Sequence, residues 1–267
     1  MRYYSQISPM LFTDALKNTI EFKAYPKRII SLVPSQSELL WELGLKNEIV
    51  GITKFCIHPK IMFETVTRVG GTKTLNIEKI RVLKPDLIIG NKEENDRTQI
   101  EALQKEFNVW MSDIYNLEDA LKTIDAIGEL TDTAGKAKDI SASVKISFDS
   151  LSTSKKSVLY LIWKPYMAAG KATFIGDMIR RIGWENVIED KDSRYPELTL
   201  ENIKHLAPEI ILLSSEPFPF KRKHADELQA ALPNTKIVLV DGELFSWYGS
   251  RLLKSAAYFN ELLRSIA

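Results

Sequence analysis

The sequence predicts an α/β fold: two like lobes, each built on a central parallel sheet of Rossmann-like type, joined by a single long backbone helix. Three observations carry this. Short apolar runs of buried-strand type alternate with stretches of helical spacing, the pattern of a parallel sheet covered on both faces. One segment occurs twice. Leu75-Asn-Ile-Glu-Lys-Ile-Arg-Val-Leu-Lys-Pro-Asp-Leu-Ile-Ile leads to a loop with Glu93, and Leu198-Thr-Leu-Glu-Asn-Ile-Lys-His-Leu-Ala-Pro-Glu-Ile-Ile-Leu leads to a loop with Glu216. Between the copies, residues 131–152 present one helical face and no Gly/Ser/Pro-rich linker. The expected division is an N-terminal lobe over 1–130, the joining helix over 131–152 and a C-terminal lobe over 153–267.

Taken in order, residues 12–22 read as a hairpin turning at Leu16-Lys-Asn. Arg28 to Val33 is a buried strand that Pro34 stops. Ser35 and Glu38 have capping-box spacing for a helix with Leu39, Leu40 and Leu43 as its stripe and Gly44 as its stop. A strand over 48–53 precedes the first repeat, in which Ile77, Ile80 and Leu83 form a helix, Pro85 ends it and Leu87 starts a buried strand. A helix with Ile100, Leu103 and Phe107 leads to a strand over 108–111. Ala134, Ala137, Ile140, Val144, Phe148 and Leu151 step by three and four, which makes the joining helix. A helix of about 20 residues spans about 30 Å, the width of a lobe.

The second half replays the order. Ser157–Trp163 is a strand, and Asp177 to Gly183 is a helix with a glycine stop. Gly183-Trp-Glu-Asn186 echoes Gly44-Leu-Lys-Asn47 between a helix and a strand. After the second repeat come a helix over 225–231, a strand over 236–240 and a terminal amphipathic helix carrying Leu252, Leu253, Tyr258, Leu262 and Leu263. Asp86 and Glu209, each just past its repeat helix, are expected to face solvent.

Composition narrows the function. Among 267 residues, 36 basic and 35 acidic side chains leave a net charge of +1, which argues against nucleic acid or an anionic membrane as partner. The single cysteine, Cys56, permits no internal disulfide and no CxxC knuckle. Residues 1–12 lack an apolar core of signal-peptide length and Pro9 interrupts them. Either a start Met has replaced an export signal or the protein stays in the cytoplasm. No nucleophile elbow, Walker loop or zincin helix occurs, so no catalytic residues and no catalytic cofactor are expected.

In open α/β sheets ligands sit beyond the carboxyl ends of the strands. Those ends supply Ser35, Phe55, His58, Thr72, Lys73, Asn91, Trp163, Tyr166, Phe218, Trp247 and Tyr248 as candidate ligand-binding residues. The aromatic members suit a large, flat, mostly apolar ligand. His205 reads as structural and His224 as a solvated loop residue. Three scattered histidines do not make a bare-metal receptor.

These elements together resemble the substrate-binding proteins of ABC importers for vitamin B12 and ferric siderophores. The resemblance rests on Arg28-Ile-Ile-Ser-Leu-Val-Pro-Ser with Glu38, on Val69-Gly-Gly-Thr with Asn76-Ile-Glu-Lys-Ile, and on Leu83-Lys-Pro-Asp-Leu-Ile-Ile. It also rests on Lys164-Pro-Tyr-Met-Ala-Ala-Gly-Lys with Ile175-Gly-Asp, and on Phe245-Ser-Trp-Tyr-Gly-Ser-Arg. It covers the chain from about residue 12 onward and is nearest the cobalamin-binding branch. It implies a monomeric, non-enzymatic, extracytoplasmic protein that holds a cobalamin-like corrinoid, a ferric siderophore or haem in an interlobe cleft and delivers it to the importer's permease. In that class an acidic residue on each lobe docks onto the permease, a role that falls to Glu93 and Glu216 here. His58 becomes an axial ligand candidate for a cobalt or iron centre. Aromatics that line the corrinoid pocket in the cobalamin-binding branch stand as Thr72 and Asn91. Two alternatives remain open: a cytoplasmic binding or sensing relative, and an enzyme handling a metal chelate in the same cleft.

Overall fold

The computed structural model describes residues 9–189 and 193–266; the first eight residues, part of the stretch read for an export signal, lie outside the described residues. Its contacts divide the chain into two compact units. Unit 1 holds the chain up to Ile114, then Asp119–Ala142 and Tyr248–Arg251. Unit 2 holds Tyr115–Glu118, Ser143–Trp247 and the chain from Leu252 on. Each unit therefore incorporates a four-residue segment from the other half of the sequence.

Unit 1 opens on an antiparallel hairpin, β1 (Met10–Thr13) and β2 (Thr19–Phe22), where the sequence predicts one. The Asp14 carboxylate closes its turn by accepting from the backbone N–H of Leu16 and Asn18, both at 2.8 Å. There follow β3 (Ile29–Ser31), α1 (Pro34–Glu42), β4 (Ile49–Ile52), α2 (Lys60–Thr65), β5 (Thr67–Arg68), α3 (Ile77–Leu83), β6 (Leu87–Asn91), α4 (Arg97–Gln104) and β7 (Val109–Ser112). The sheet order is β5-β4-β3-β6-β7, parallel throughout. Its core is Ile30, Leu32, Val69, Ile80, Ile88, Ile100, Leu103 and Met111. Each such side chain contributes about 1.5–3 kcal/mol by leaving water.

Helix α5 (Leu117–Leu130) comes next, and the sequence reading had placed no helix there. Its buried face is Leu117, Ala120, Ile124 and Ile127, again stepping by three and four. A helix stands where one was read over 131–152: α6 (Ala134–Asp149), 16 residues long, with Leu151 beyond its end. Unit 2 continues with β8 (Ser157–Trp163), β9 (Met167–Ala168), α7 (Phe174–Arg181), β10 (Glu185–Asn186), α8 (Leu200–Leu206), β11 (Ile210–Ser214), α9 (Arg222–Ala231), β12 (Lys236–Val240), α10 (Gly242–Ser246) and α11 (Leu252–Ile266). The order β10-β8-β11-β12 is parallel, and β9 turns back antiparallel onto β8. Leu159, Leu161, Ile203, Ile211, Leu213, Phe220 and Leu228 form its core.

The repeat holds in backbone detail. Asn76 and Thr199 are the N-caps of α3 and α8, each accepting from a backbone N–H in the first turn. Lys84 and Ala207 close both helices in the left-handed conformation, with φ of 46° and 44°. The shorter echo holds too: Gly44 at φ 96° and Gly183 at φ 81° adopt the backbone that glycine permits without strain.

Three expectations are corrected. The Ser35–Glu38 capping box does not form. Val33 is the N-cap and makes no side-chain cap bond. Pro34 occupies the first helical position, where its fixed φ starts the helix, so Ser35 is already inside the turn. Asp86 is half-buried instead of facing solvent, whereas Glu209 is exposed as expected; each also holds a backbone donor. Asp86 accepts from the backbone N–H of Lys27 and Arg28 at 2.8 and 2.9 Å, just ahead of β3. Glu209 accepts from the backbone N–H of Ser157 at 2.8 Å, at the start of β8. Both carboxylates thus clamp the central strand of their sheet in register with the repeat strand. His224, read as solvated, is buried, and its Nδ1 accepts from the Lys221 N–H at 2.9 Å.

Candidate functional site

In unit 1 the loops beyond β3, β4, β5 and β6 stand on a buried polar layer. Ser37 Oγ lies 2.7 Å from Ser31 Oγ and 3.1 Å from Cys56 Sγ. Burial pushes the Cys56 thiol up to about 11, against the hydrogen bonds from Ser37 and Thr53. A thiol so held stays protonated and is a poor nucleophile at neutral pH. Asn91 is also buried. Its Oδ1 accepts from the N–H of Glu93 and Glu94 at 2.8 and 3.1 Å, and its Nδ2 donates to Ser112 Oγ at 3.0 Å. Asn95 Nδ2 donates to the carbonyls of Leu32 and Thr72 at 3.2 and 3.1 Å. Lys73 Nζ donates to the Glu93 carbonyl at 2.6 Å. Asn91, Thr72 and Lys73 thereby shape and join the loops after β5 and β6.

Phe55 stands out from this layer, 49% exposed, with Lys54 Nζ 5.1 Å from its ring centre. Ile57 and Ile61 are exposed beside it in sequence, an apolar extension that strand-end reasoning missed. His58 is half-buried. Among the described residues no group of three or more His, Cys, Asp or Glu side chains could hold a metal ion. Ser35 is buried, with its hydroxyl enclosed.

Tyr248 belongs to unit 1 and is buried, 8% exposed, its hydroxyl donating to the Glu94 carboxylate. Arg251 grips Glu38 with two N–H donors, Nε to Oε2 and Nη2 to Oε1, both at 2.8 Å. Both residues are buried. The pair satisfies the geometry that a desolvated ion pair requires.

In unit 2, Trp163 ends β8 and is 46% exposed. Its ring meets Phe218 edge-on at 5.9 Å, and Phe218 in turn meets Phe220 at 4.8 Å and His224 at 5.4 Å. Tyr166 packs partly buried against the same core. The predicted residues Trp163 and Phe218 are therefore in ring contact, and Tyr166 and Phe218 pack on one core. Trp247 is not an exposed platform: it is 6% exposed, and its Nε1 donates to Glu216 at 2.9 Å. Ser246 Oγ donates to the same carboxylate oxygen at 2.6 Å. Burial, with Glu243 and Asp241 nearby, raises the Glu216 pKa against those two hydrogen bonds. Glu216 is half-buried, with its Oε1 engaged within its own unit. A cavity of about 380 Å³ lies off the end of β12, lined by Ser215, Phe220, Leu239, Val240, Asp241 and Glu243. None of the predicted ligand residues lines it.

The carboxylates that do stay exposed in both copies of the repeat are Glu78 and Glu201, in the first turns of α3 and α8. Their side chains are 80% and 78% exposed, each paired with a base three residues on, Arg81 and Lys204.

A family model for periplasmic binding proteins matches residues 29–242, most of both units. The chain belongs to the periplasmic binding protein family. Within that family it is similar to an uncharacterized ABC transporter substrate-binding lipoprotein, YvrC, of Bacillus subtilis. Identity is 26% over 280 residues, covering 98% of this chain and 87% of that protein. It is 26% identical to the vitamin B12-binding protein of Vibrio cholerae over 72% of each chain. The periplasmic heme-binding protein HutB of Vibrio cholerae has the same fold, with a TM-score of 0.74 at 24% identity over 88% of this chain and 98% of that one. Family members are binding proteins, in keeping with a site built from aromatic and loop-shaping side chains. Among the described residues no helix is long and apolar enough to cross a membrane.

Proposed function

We propose that this chain is the substrate-binding protein of an ABC importer and that it carries a bulky metal chelate. A cobalamin-like corrinoid is the first choice and a ferric siderophore or haem the second. The supporting observation is that one large aromatic stands exposed at a strand's carboxyl end in each unit, Phe55 in unit 1 and Trp163 in unit 2. Exposed aromatic faces of this size suit a flat macrocycle or an aromatic chelate. Lys54, Tyr166 and Phe218 border them, and His58 is the axial-ligand candidate. The B12-binding relative supports the corrinoid, and the heme-binding neighbour shares the fold on which a porphyrin is held in that protein.

Delivery calls for a surface that the permease can read. With Glu216 engaged within its own unit, Glu78 and Glu201 become the equivalent carboxylates for docking, and Glu93 stays as a secondary contact on unit 1. Charged pairs of this kind set register and on-rate. The protein would act outside the cytoplasm.

Equilibrium titration of the purified chain with cobalamin, haemin and a panel of ferric siderophores, followed by tryptophan quenching, tests the reading. One saturable site for at least one chelate is expected. Failure to bind every one of them would refute the ligand class. A permease-binding assay with Glu78→Ala plus Glu201→Ala should lose affinity, whereas Glu216→Ala should not.

A further inference from the structure

His224 is 7% exposed and sits in a cluster of three rings. Its ring centre is 5.4 Å from that of Phe218 and 5.7 Å from that of Phe220, and those two rings are 4.8 Å apart. Phe218 carries the contact outward, meeting Trp163 edge-on at 5.9 Å. The backbone ties the same places together: Phe218 N–H donates to the Ile162 carbonyl at 3.3 Å, one residue before Trp163. All of these residues belong to unit 2. His224 is also fixed by two bonds to Lys221, the N-cap of α9. Its backbone N–H donates to the Lys221 carbonyl at 2.8 Å, and its Nδ1 accepts from the Lys221 N–H at 2.9 Å. An Nδ1 that accepts carries no proton, so the imidazole is neutral with its proton on Nε2.

We infer that His224 is a positioning residue for ligand binding: its neutral imidazole holds the Phe218 and Trp163 rings in place, and protonating it weakens the hold on the chelate. An imidazolium has a donor on both nitrogens, so the Lys221 N–H would lose its acceptor and face another N–H. A charged ring would also leave the apolar cluster for water, and Phe218 would lose one of its three ring partners. The charged groups that act on His224 are Lys164, from the turn after β8, and Lys221, Lys223 and Glu227, from α9 and its cap. Burial and the three ammonium groups disfavour the imidazolium. Glu227 favours it but is itself paired with Lys164 at 3.4 Å. The His224 pKa accordingly lies below its usual 6.5. The arrangement is therefore intact above the unfolded value and is lost as pH falls through the lower folded value. This inference rests on the chelate-binding reading and adds a pH-dependent regulation to it.

Affinities for cyanocobalamin, haemin and ferric siderophores are measured at pH 7.5 and pH 5 for the full chain and for His224→Asn and His224→Phe. Asn offers an acceptor near the place of Nδ1 but does not titrate. For each chelate that binds, the wild type should weaken roughly threefold or more on going to pH 5, and His224→Asn should change less. His224→Phe, with no acceptor for Lys221, should bind more weakly than His224→Asn at pH 7.5. An equal pH response of wild type and His224→Asn would overturn the inference and leave chelate binding intact. A second measurement needs no variant. The proton NMR signal of the His224 ring, assigned through its contacts with Phe218 and Phe220, should titrate at lower pH in the chelate-bound protein than in the free protein, because a ligand that binds the neutral form disfavours the charged one. One midpoint for both states would likewise overturn the inference. Absence of binding by the wild type at pH 7.5 to all of these chelates would instead overturn the functional reading together with this role of His224.

Discussion

Each unit is closed by a segment from the other half of the sequence, but the two closures differ in kind. In unit 1, Tyr248–Arg251 is held by Arg251 on Glu38, two buried side chains with paired hydrogen bonds at 2.8 Å. In unit 2, Tyr115–Glu118 is held by Asp177, which takes a backbone N–H from Leu117 and side-chain donors from Arg180 and Arg181 of its own helix. Arg181 also reaches Glu118, whose side chain is 61% exposed. One closure centres on a desolvated ion pair, costly to half-remove, beside the Tyr248 hydroxyl on Glu94. The other is a spread network, part of it in water. The repeat duplicates strands, caps and clamps, and leaves the closures to unrepeated residues.

Substitutions can break or sharpen this contrast. The largest effect is expected for Arg251→Ala, which strands the Glu38 carboxylate and should cost about 3–5 kcal/mol in urea unfolding. A loss under about 1 kcal/mol would erase the distinction between the closures. Next comes Asp177→Asn, at about 1–3 kcal/mol. Burial alone would raise the Asp177 pKa, but hydrogen bonds from Arg181, Leu117 and Arg180 outweigh it and hold the carboxyl below its usual value. Its stabilisation is therefore complete above the unfolded value of about 3.9 and disappears as pH falls through the lower folded value. Melting curves from pH 7 to pH 3 should show the wild type losing its advantage over Asp177→Asn at the acid end; a pH-independent gap would contradict this.

Asp86→Ala should cost about 1 kcal/mol by releasing two backbone donors ahead of β3. Glu209→Ala, at the exposed equivalent, should cost less by the same denaturant measurement. The smallest effect has the opposite sign. Glu216 has a raised pKa, so its charge opposes folding as pH rises above the unfolded value of about 4.3. Glu216→Gln keeps an acceptor for Ser246 and Trp247 and should be slightly more stable than wild type at pH 7. That difference should fade toward pH 4, and a destabilised Glu216→Gln at pH 7 would count against the assignment.

The strands and the repeat were legible because buried parallel strands must be runs such as Leu87–Ile89 and Ile210–Leu213, and because Pro85 and Pro208 force helix ends. The clamp by Asp86 and Glu209 was not, since its acceptor role depends on which strand start lies opposite. Strand-end reasoning found Phe55, Trp163, Tyr166 and Phe218 where they are exposed or clustered. It gave no sign that Asn91, Trp247 and Tyr248 are buried or that Ser246 and Trp247 hold Glu216, because a polar or aromatic residue past a strand can turn inward when a partner such as Ser112, Glu94 or Ser246 awaits it. Those partners are distant in sequence and leave no local mark. Helix α5 was missed although its apolar face, Leu117, Ala120, Ile124 and Ile127, steps by three and four.

The most direct test compares one aromatic from each unit. Phe55→Ala and Trp163→Ala are titrated singly and together with the chelate that the wild type binds. The account predicts that each weakens binding roughly tenfold, about 1.4 kcal/mol, and that the double variant binds more weakly than either. Wild-type affinity in the double variant would contradict it.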